Sequence, residues 1–283
     1  MYDFFYNLIF SIKSVFNIIT KSKLRHRPNI KYNSEDLVVL ANGPSLRGTI
    51  EKYEQHIIGK NKLCVNGFAL SDVFERLMPD IYVIADYGFW ENNKSKRVQD
   101  IQESVKQALI NKVTWPINMF IPFAAQGSNF VNEVSKNKNI KIHFYNLTVI
   151  RGFNRFSFYL YNRWYGIPSA QNVLIPSLII GINLGFKKIF ITGADHTWNE
   201  NVWVDENNEV FIGDVHFYDE KVNARIGDNF NRKLYIYEFF ASLTKAFKIY
   251  ILIEKYAHYM NTKIYNASER SNIDAFERKK LNE

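Results

Sequence analysis

Short apolar runs alternate with amphipathic stretches along most of the chain, and each kind predicts a different element. The apolar runs predict buried strands near residues 37–41, 62–66, 80–85, 118–123, 141–144, 188–192 and 263–265. Apolar residues at helical spacing predict helices near residues 46–58, 69–77, 95–111, 171–185 and 232–260, with a short closing helix around Ile273 and Phe276. Strands that alternate with helices are typical of parallel βαβ units with right-handed crossovers. We therefore predict an α/β fold, a Rossmann-like and mostly parallel sheet with helices on both faces.

Residues 4–19 have the pattern of one amphipathic helix. Its apolar face carries Phe5, Leu8, Ile12, Val15, Phe16 and Ile19, and basic residues follow at Lys21, Lys23, Arg25 and Arg27. The run is too short and too polar for a transmembrane span. It predicts a helix that lies on an anionic membrane surface. The alternative is a helix packed on the protein's own core or on a second subunit.

The pattern divides the chain into two parts. Residues 1–27 form the predicted membrane-surface helix and its basic tail, and residues 37–283 form one domain. Two segments of that domain depart from the alternation. Residues 146–170 are aromatic and basic and predict a lid, with a packed helix as the alternative. The insertion at 196–230 contains a β-hairpin with strands at 202–204 and 209–212.

Composition narrows the possible partners. The 283 residues are 47% hydrophobic, which is enough for a full core, and the lone Cys64 excludes a disulfide framework and a cysteine-based metal site. The net charge of +8 suits an anionic partner, such as nucleic acid, anionic lipid or a nucleotide-bearing substrate. No nucleic-acid-binding module signature is present, so we expect no nucleic-acid partner.

Polar side chains follow several of the predicted strands, at the points where those strands end. They are Asn42, Asn66, Asp86 and Asp195. Because the carboxyl ends of parallel strands share one edge of a sheet, we expect these side chains to converge on one crevice. Gly43 and Ser45 follow the first strand and begin a helix, where backbone N–H groups favour an anion. Each of these residues also forms turns, so an ordinary strand-to-helix turn remains the alternative.

Three sequence runs support a comparison with known families. The runs VVLANGPSL, CVNGF and NVLIPSLIIGINLGFKKIFITGAD resemble bacterial sialyltransferases that use CMP-sialic acid. They are equally similar to the motility-associated factor glycosyltransferases and to archaeal pterin diphosphokinase-like proteins. The resemblance covers residues 37–85 and 172–195 and implies a GT-A-like variant of the Rossmann-like fold. It departs from the sialyltransferases at Gly67, at Asn172-Val173 and at Thr197.

The resemblance implies a nucleotide site and a set of reacting groups. The nucleotide would lie against Asn42, Gly43, Ser45, Asn66, Asn172, Gly193 and Asp195. The acceptor hydroxyl needs a base, for which His216 and His196 are the candidates, and Tyr218 could donate to the leaving phosphate. The candidates for contact with the donor or acceptor sugar are Asp86, Arg151, Arg163 and Trp198. We expect no cofactor and no metal, because the Asp and His candidates lack a ligand spacing.

The sequence therefore predicts a membrane-associated glycosyltransferase on the cytoplasmic face of the inner membrane. It would move an acidic sugar, similar to sialic acid or Kdo, from a CMP-sugar to a surface glycan or lipid-linked acceptor. A homo-oligomer is possible. One rival is a diphosphokinase that transfers pyrophosphate from Mg²⁺-ATP to a pterin. A second rival is an inert scaffold for glycan assembly.

Overall fold

A parallel sheet forms the centre of the molecule. The computed structural model describes residues 2–24, 27–28, 30, 32, 34–91, 96–214, 222–225 and 233–283. Within them, eight strands pair in the order β11-β10-β6-β1-β2-β3-β4-β5, and each of these pairings is parallel. The strands of this sheet are β1 (Asp36–Leu40), β2 (Asn61–Val65), β3 (Ile81–Val83), β4 (Ile117–Pro122), β5 (Ile140–Tyr145), β6 (Lys188–Thr192), β10 (Lys263–Asn266) and β11 (Glu277–Arg278).

Helices cover both faces of the sheet, as the sequence predicts. They are α1 (Tyr2–Lys21), α2 (Leu46–Ile58), α3 (Phe74–Leu77), α4 (Lys96–Lys112), α5 (Asn129–Val134), α6 (Asn154–Asn162), α7 (Leu174–Asn183) and α8 (Ile236–Tyr259). Successive strand residues point to opposite faces. Leu37 and Val39 accordingly pack in the core shared with α6, α7 and α8, whereas Val38 and Leu40 pack with α2 to α5. The predicted α/β fold class is confirmed.

The strand order creates a crevice beside β1. The chain adds β2 to β5 on one side of β1 and then returns to place β6 on the other side. The connections after β1 and β6 therefore leave the sheet in different directions. In open α/β sheets, such a switch point is where ligands bind, outside the carboxyl ends of the strands.

A second, antiparallel sheet follows β6. The predicted hairpin is present as β7 (Val202–Val204) and β8 (Val210–Asp214), and β9 (Val222–Arg225) adds a third strand to it. The backbone N–H of Asp205 donates to the carbonyl of Glu209 at 3.0 Å and closes the turn.

The segment 146–170 packs on the core through a helix, which is the alternative to the predicted lid. It contains α6, whose Phe158, Leu160 and Tyr161 are buried in the core. Asn146 ties its start to the residues that follow α1, because the Asn146 side chain accepts from the N–H of Lys23 at 2.9 Å and donates to the Lys23 carbonyl at 3.2 Å. Three of the aromatic residues that suggested a covering segment, Phe158, Tyr161 and Trp164, are core residues.

The chain end also differs from the prediction. Ile273 and Phe276 are buried, but they belong to an irregular segment that leads into β11 and not to a helix. The side chain of Asn266 donates to the carbonyl of Ile273 and to Ser271, each at 3.0 Å. These bonds hold the segment in a turn and replace the hydrogen bonds of a helix.

Helix α1 docks on the domain through a narrow stripe. Ser11, Ser14 and Ile18 are its buried residues. The Ser14 hydroxyl donates to the carbonyl of Arg151 and accepts from its N–H, each at 2.8 Å. Among the described helices, none is long and apolar enough to cross a bilayer.

The predicted apolar face of α1 points away from the domain. Ile9, Ile12, Phe16 and Ile19 are 61–70% exposed. Phe5, Leu8 and Val15 are exposed as well. The helix therefore does not use this face to pack on the described part of the protein's own core, which was one of the two alternatives.

Candidate functional site

A cavity of about 430 Å³ opens at the switch point. The four strand-end side chains expected to converge, Asn42, Asn66, Asp86 and Asp195, all line it. The wall also contains Gly43, Gln171, Asn172, Gly193, His196, Trp198 and Asn201.

Gly43 allows the loop after β1 to approach the loop after β6. Its N–H donates to the carbonyl of Gly193 at 2.8 Å. A Cβ atom at position 43 would lie 2.4 Å from that carbonyl oxygen and 2.6 Å from Oδ2 of Asp195. No side chain fits at these distances, so glycine is required here for close approach.

Asp195 occupies both donors of Ser45, the residue before α2. Its carboxylate accepts from the N–H of Ser45 at 2.9 Å and from the Ser45 hydroxyl. Burial raises the pKa of Asp195, and the two Ser45 bonds oppose that shift. The donors of Ser45 that were expected to bind a phosphate are thus used within the protein, and Ser45 is absent from the cavity wall.

Two amide side chains are fixed at the ends of β1 and β2. Asn42 donates to the carbonyl of Val65 at 3.1 Å, which ties the first loop to the second strand. Asn66 has a positive φ of 43° and accepts from the N–H of Ala85 at 3.2 Å. Asparagine adopts this backbone region more readily than most residues, so the turn itself favours Asn66.

Asp86 is an exposed carboxylate at the end of β3. Its Oδ1 accepts from the N–H of Gly88 at 2.7 Å and caps a short 3₁₀ helix at Tyr87–Phe89. Asp86 therefore forms a turn, as the alternative interpretation expected, and also lines the cavity.

His196 lies in an aromatic environment next to Asp195. Its ring is 4.3 Å from that of Trp198 and 5.4 Å from that of Tyr250, measured between centroids. Its Nε2 is 2.6 Å from the hydroxyl of Tyr250, which donates to Oδ1 of Asn172 at 3.1 Å. Burial lowers the pKa of His196 to about 3, so the imidazole is neutral at physiological pH.

The loop after β10 supports the backbone of this site. The hydroxyl of Ser271 donates to the carbonyl of Ala194 at 2.6 Å, and the N–H of Asn272 donates to that of Asp195 at 2.9 Å. The backbone of His196 has a positive φ of 53°, and its carbonyl accepts from Asn272 at 3.3 Å. Sequence reasoning did not identify this brace or Tyr250, because no local pattern links them to residues 194–196.

Arg151 and Arg163 do not line the cavity. The backbone of Arg151 is bound to Ser14 of α1, and the guanidinium of Arg163 lies 5.1 Å from the ring centroid of Tyr159. Both residues are exposed. Contact of these two residues with a sugar therefore stays a prediction, and the described cavity wall does not include them. His216 and Tyr218 lie outside the described residues.

The charges of the cavity wall are negative. Among the described lining residues, Asp86 and Asp195 are the charged side chains, and Lys and Arg are absent. Within the same described part, no group of three or more His, Cys, Asp or Glu is placed to hold a metal ion. A ligand phosphate would therefore meet neutral donors on these described walls, namely side-chain amides and backbone N–H groups.

Comparison with known proteins supports the fold. The sequence matches no protein-family model and no curated protein. The fold is similar to that of the solved MAf glycosyltransferase from Magnetospirillum magneticum AMB-1, with a TM-score of 0.50 and 13% sequence identity. The match covers 97% of this chain and 38% of that protein, so this chain spans well under half of its length. A glycosyltransferase thus shares the fold of this chain.

Proposed function

We propose that this chain is a glycosyltransferase whose cavity holds a nucleotide-activated sugar, with a CMP-linked acidic sugar as the donor class. The observation that carries the proposal is the convergence of Asn42, Asn66, Asn172 and His196 on one cavity at the switch point of the sheet. The sequence resemblance to CMP-sialic acid enzymes supports the choice of CMP. The structural similarity to a glycosyltransferase supports the fold on which this chemistry would occur.

The reaction needs little acid–base chemistry at the donor. In a CMP-sugar the leaving group is a phosphate monoester, which leaves with the electron pair of the anomeric C–O bond and needs charge stabilisation. Amide N–H groups are neutral donors that can supply such stabilisation in a cavity. The acceptor hydroxyl must lose its proton, and His196 is the described candidate for receiving it.

The test is a turnover comparison among donors. The full chain is incubated with CMP-sialic acid, CMP-Kdo or UDP-N-acetylglucosamine, with water or an added glycan or lipid-linked alcohol as the sugar acceptor, and with ATP plus a pterin alcohol, each with Mg²⁺ and with EDTA. We expect release of CMP from one of the CMP-sugars in both conditions. Release of UDP alone would contradict the donor class, and no release from any sugar nucleotide would contradict the proposal.

The carboxylates of the cavity favour one rival, the diphosphokinase. Transfer of pyrophosphate from ATP needs Mg²⁺, and carboxylates are the ligands that Mg²⁺ prefers. Asp195 is committed to Ser45, which leaves Asp86 as the exposed acid. AMP formation from ATP that stops in EDTA would support this rival.

We also propose that α1 places the enzyme on an anionic membrane surface, where a lipid-linked acceptor is found. The exposed apolar residues of α1 form a continuous face, and Lys13, Lys21 and Lys23 are exposed beside or after it. Asp3 is the acidic residue of this helix. An exposed apolar face with adjacent positive charge is complementary to anionic headgroups over acyl chains.

Vesicle sedimentation tests this placement. Ile12→Glu with Phe16→Glu should abolish binding to vesicles that contain phosphatidylglycerol, whereas Ile101→Glu, an exposed apolar position on α4, should leave binding intact. Lys13→Glu should weaken binding and increase its sensitivity to salt. Equal binding by all variants would contradict the proposal. The wild type could instead form dimers and bind no vesicles. If the double variant Ile12→Glu with Phe16→Glu is then monomeric, a second copy of the chain covers this face.

A further inference from the structure

The hydroxyl of Tyr250 joins two polar side chains of the cavity wall. Tyr250 belongs to α8 and is fully buried. Its hydroxyl oxygen is 3.1 Å from Oδ1 of Asn172 and 2.6 Å from Nε2 of His196. The phenol has one proton to donate, so if it donates to one of these side chains it accepts from the other.

Asn172 fixes the direction of the first bond. Its Oδ1 accepts from the backbone N–H of Leu174 at 3.1 Å. A backbone N–H can only donate, which identifies this side-chain atom as the oxygen and not the nitrogen. Burial raises the pKa of Tyr250 above its usual range, so the phenol keeps its proton. The phenol therefore donates to Asn172.

The second bond must then run from the imidazole to the phenol. The proton of Tyr250 is committed to Asn172, and the neutral ring of His196 can satisfy the 2.6 Å contact only by donating from Nε2. A neutral imidazole with hydrogen on Nε2 has a lone pair on Nδ1. In the part of the chain that the structure describes, Nδ1 makes no hydrogen bond.

We propose that Tyr250 is a positioning residue that fixes His196 as the Nε2–H tautomer, so that Nδ1 accepts the proton of the acceptor hydroxyl. The inference deepens the proposed function and rests on it for the identity of the reaction. The acceptor O–H bond breaks and its proton goes to Nδ1. The acceptor oxygen forms the bond to the anomeric carbon, and the nucleotide phosphate leaves with the electrons of the old C–O bond.

Two further observations support a ligand at this place. Nδ2 of Asn172 is buried and has no hydrogen-bond partner among the described residues, so a donor without a partner belongs to the same cavity wall as His196. The backbone of His196 has a positive φ of 53°, and such conformations in residues other than glycine are concentrated at functional sites.

The same burial that keeps His196 neutral makes it a weak base in the unliganded protein. A bound nucleotide phosphate brings negative charge into the cavity, and nearby negative charge favours the imidazolium. Proton acceptance by Nδ1 is therefore coupled to the presence of the donor. When no sugar donor is bound, the imidazole therefore stays unprotonated, and Nδ1 remains able to accept a proton.

Nitrogen NMR of the full chain labelled with ¹⁵N-histidine tests the tautomer directly. The signals of His196 are assigned by their loss in His196→Asn. We expect the wild type to carry hydrogen on Nε2. In Asn172→Leu, Tyr250 regains a proton to donate, so the ring should change to the Nδ1–H tautomer. An Nδ1–H ring in the wild type, or an unchanged ring in Asn172→Leu, would overturn the proposal.

Activity of the same variants tests the positioning role. Tyr250→Phe keeps the aromatic packing and should lower kcat by about 10²-fold while leaving the KM for the donor within about twofold. Tyr256→Phe is the matched control, because Tyr256 lies on the same helix, is buried and donates to a side-chain amide, Asn183, outside the cavity wall. Equal kcat values in the two variants would overturn the role.

The two readouts separate failure of the inference from failure of the proposed function. The tautomer of His196 is measured without substrate and stands on the hydrogen bonds alone. If no nucleotide sugar is turned over, the proposed function fails while the tautomer result remains. If turnover occurs with an unaffected Tyr250→Phe variant, the inference fails and the function remains.

Discussion

At the scale of single residues, the burial of His196 makes the stability of the folded protein sensitive to low pH. It is enclosed by Trp198, Phe247 and Tyr250, and burial alone lowers its pKa to about 3 from an ordinary 6.5. The unfolded chain therefore binds a proton below pH 6.5 that the folded protein does not bind.

This difference predicts a loss of stability at low pH. The free energy of unfolding should fall by about 1.4 kcal/mol for each pH unit between roughly 6 and 3 because of His196. His196→Asn, which tolerates the same positive φ, should remove this part of the slope. The measurement is urea denaturation of both proteins from pH 7 to pH 4.5. Parallel stability curves for the two proteins would contradict the burial of a neutral imidazole.

Residues of the site differ in how far the sequence predicts them. Asn42, Asn66 and Asp195 follow apolar strands directly, and the geometry of parallel strands brings such positions together. Ser45 was placed correctly at the helix start, but its donors bind Asp195. Tyr250 could not be predicted as part of the site, because helical periodicity indicates only that a side chain faces inward.

At the scale of elements, α1 docks on the part of the segment 146–170 that precedes α6. Gly152 has a positive φ of 123° and lies against α1, so that a Cβ atom there would be 2.1 Å from Oγ of Ser11. The N–H of Phe153 donates to that same hydroxyl at 3.2 Å. Close contact at Gly152 thus determines where α1 lies.

Gly152→Ala should release α1 from the domain. We expect faster proteolysis between α1 and β1 and faster hydrogen exchange in residues 150–153. The control is Gly127→Ala, which has a similarly positive φ of 81° but no atom within 4 Å of the added Cβ. Both variants carry backbone strain. Equal protection of α1 in the two variants would contradict the docking contact.

The type of an element was predictable wherever the spacing of the apolar residues clearly matched either a helix or a strand. Helix α2 was predicted at 46–58 and has these bounds. Helix α6 was the alternative to the preferred lid, because aromatic and basic residues on a buried helix resemble those of a ligand-covering segment. The closing segment near Ile273 was predicted as a helix, because its two buried apolar residues are three positions apart, as on one face of a helix.

At the scale of the whole molecule, the order of the strands determines the site. β1 and β6 are neighbours although many residues separate them, so Gly43 and Gly193 meet and the cavity opens beside them. The sequence predicts parallel pairing and strand ends, but it gives no signal for which strand returns to β1. The strand-end residues suggested that these side chains converge, but it is the order of the strands that brings them to one cavity.

The positive charge of the chain is distributed away from the cavity in the described structure. The net charge of +8 predicted an anionic partner, yet the charged groups among the described lining residues are carboxylates. We propose that part of this charge, the lysines beside the exposed apolar face of α1, binds an anionic membrane surface. The nucleotide binding and the membrane binding that we propose involve different surfaces and can be tested separately.

Calorimetric titration with CMP is the measurement that tests the central claim most directly. The wild type should bind CMP, and Asn66→Gly, which keeps the positive φ and removes the amide, should weaken binding at least tenfold, or about 1.4 kcal/mol. The matched control Asn139→Ala removes an exposed amide at the amino end of β5 and should bind as the wild type does. Absence of CMP binding, or equal affinities in all three proteins, would contradict a nucleotide site at this cavity.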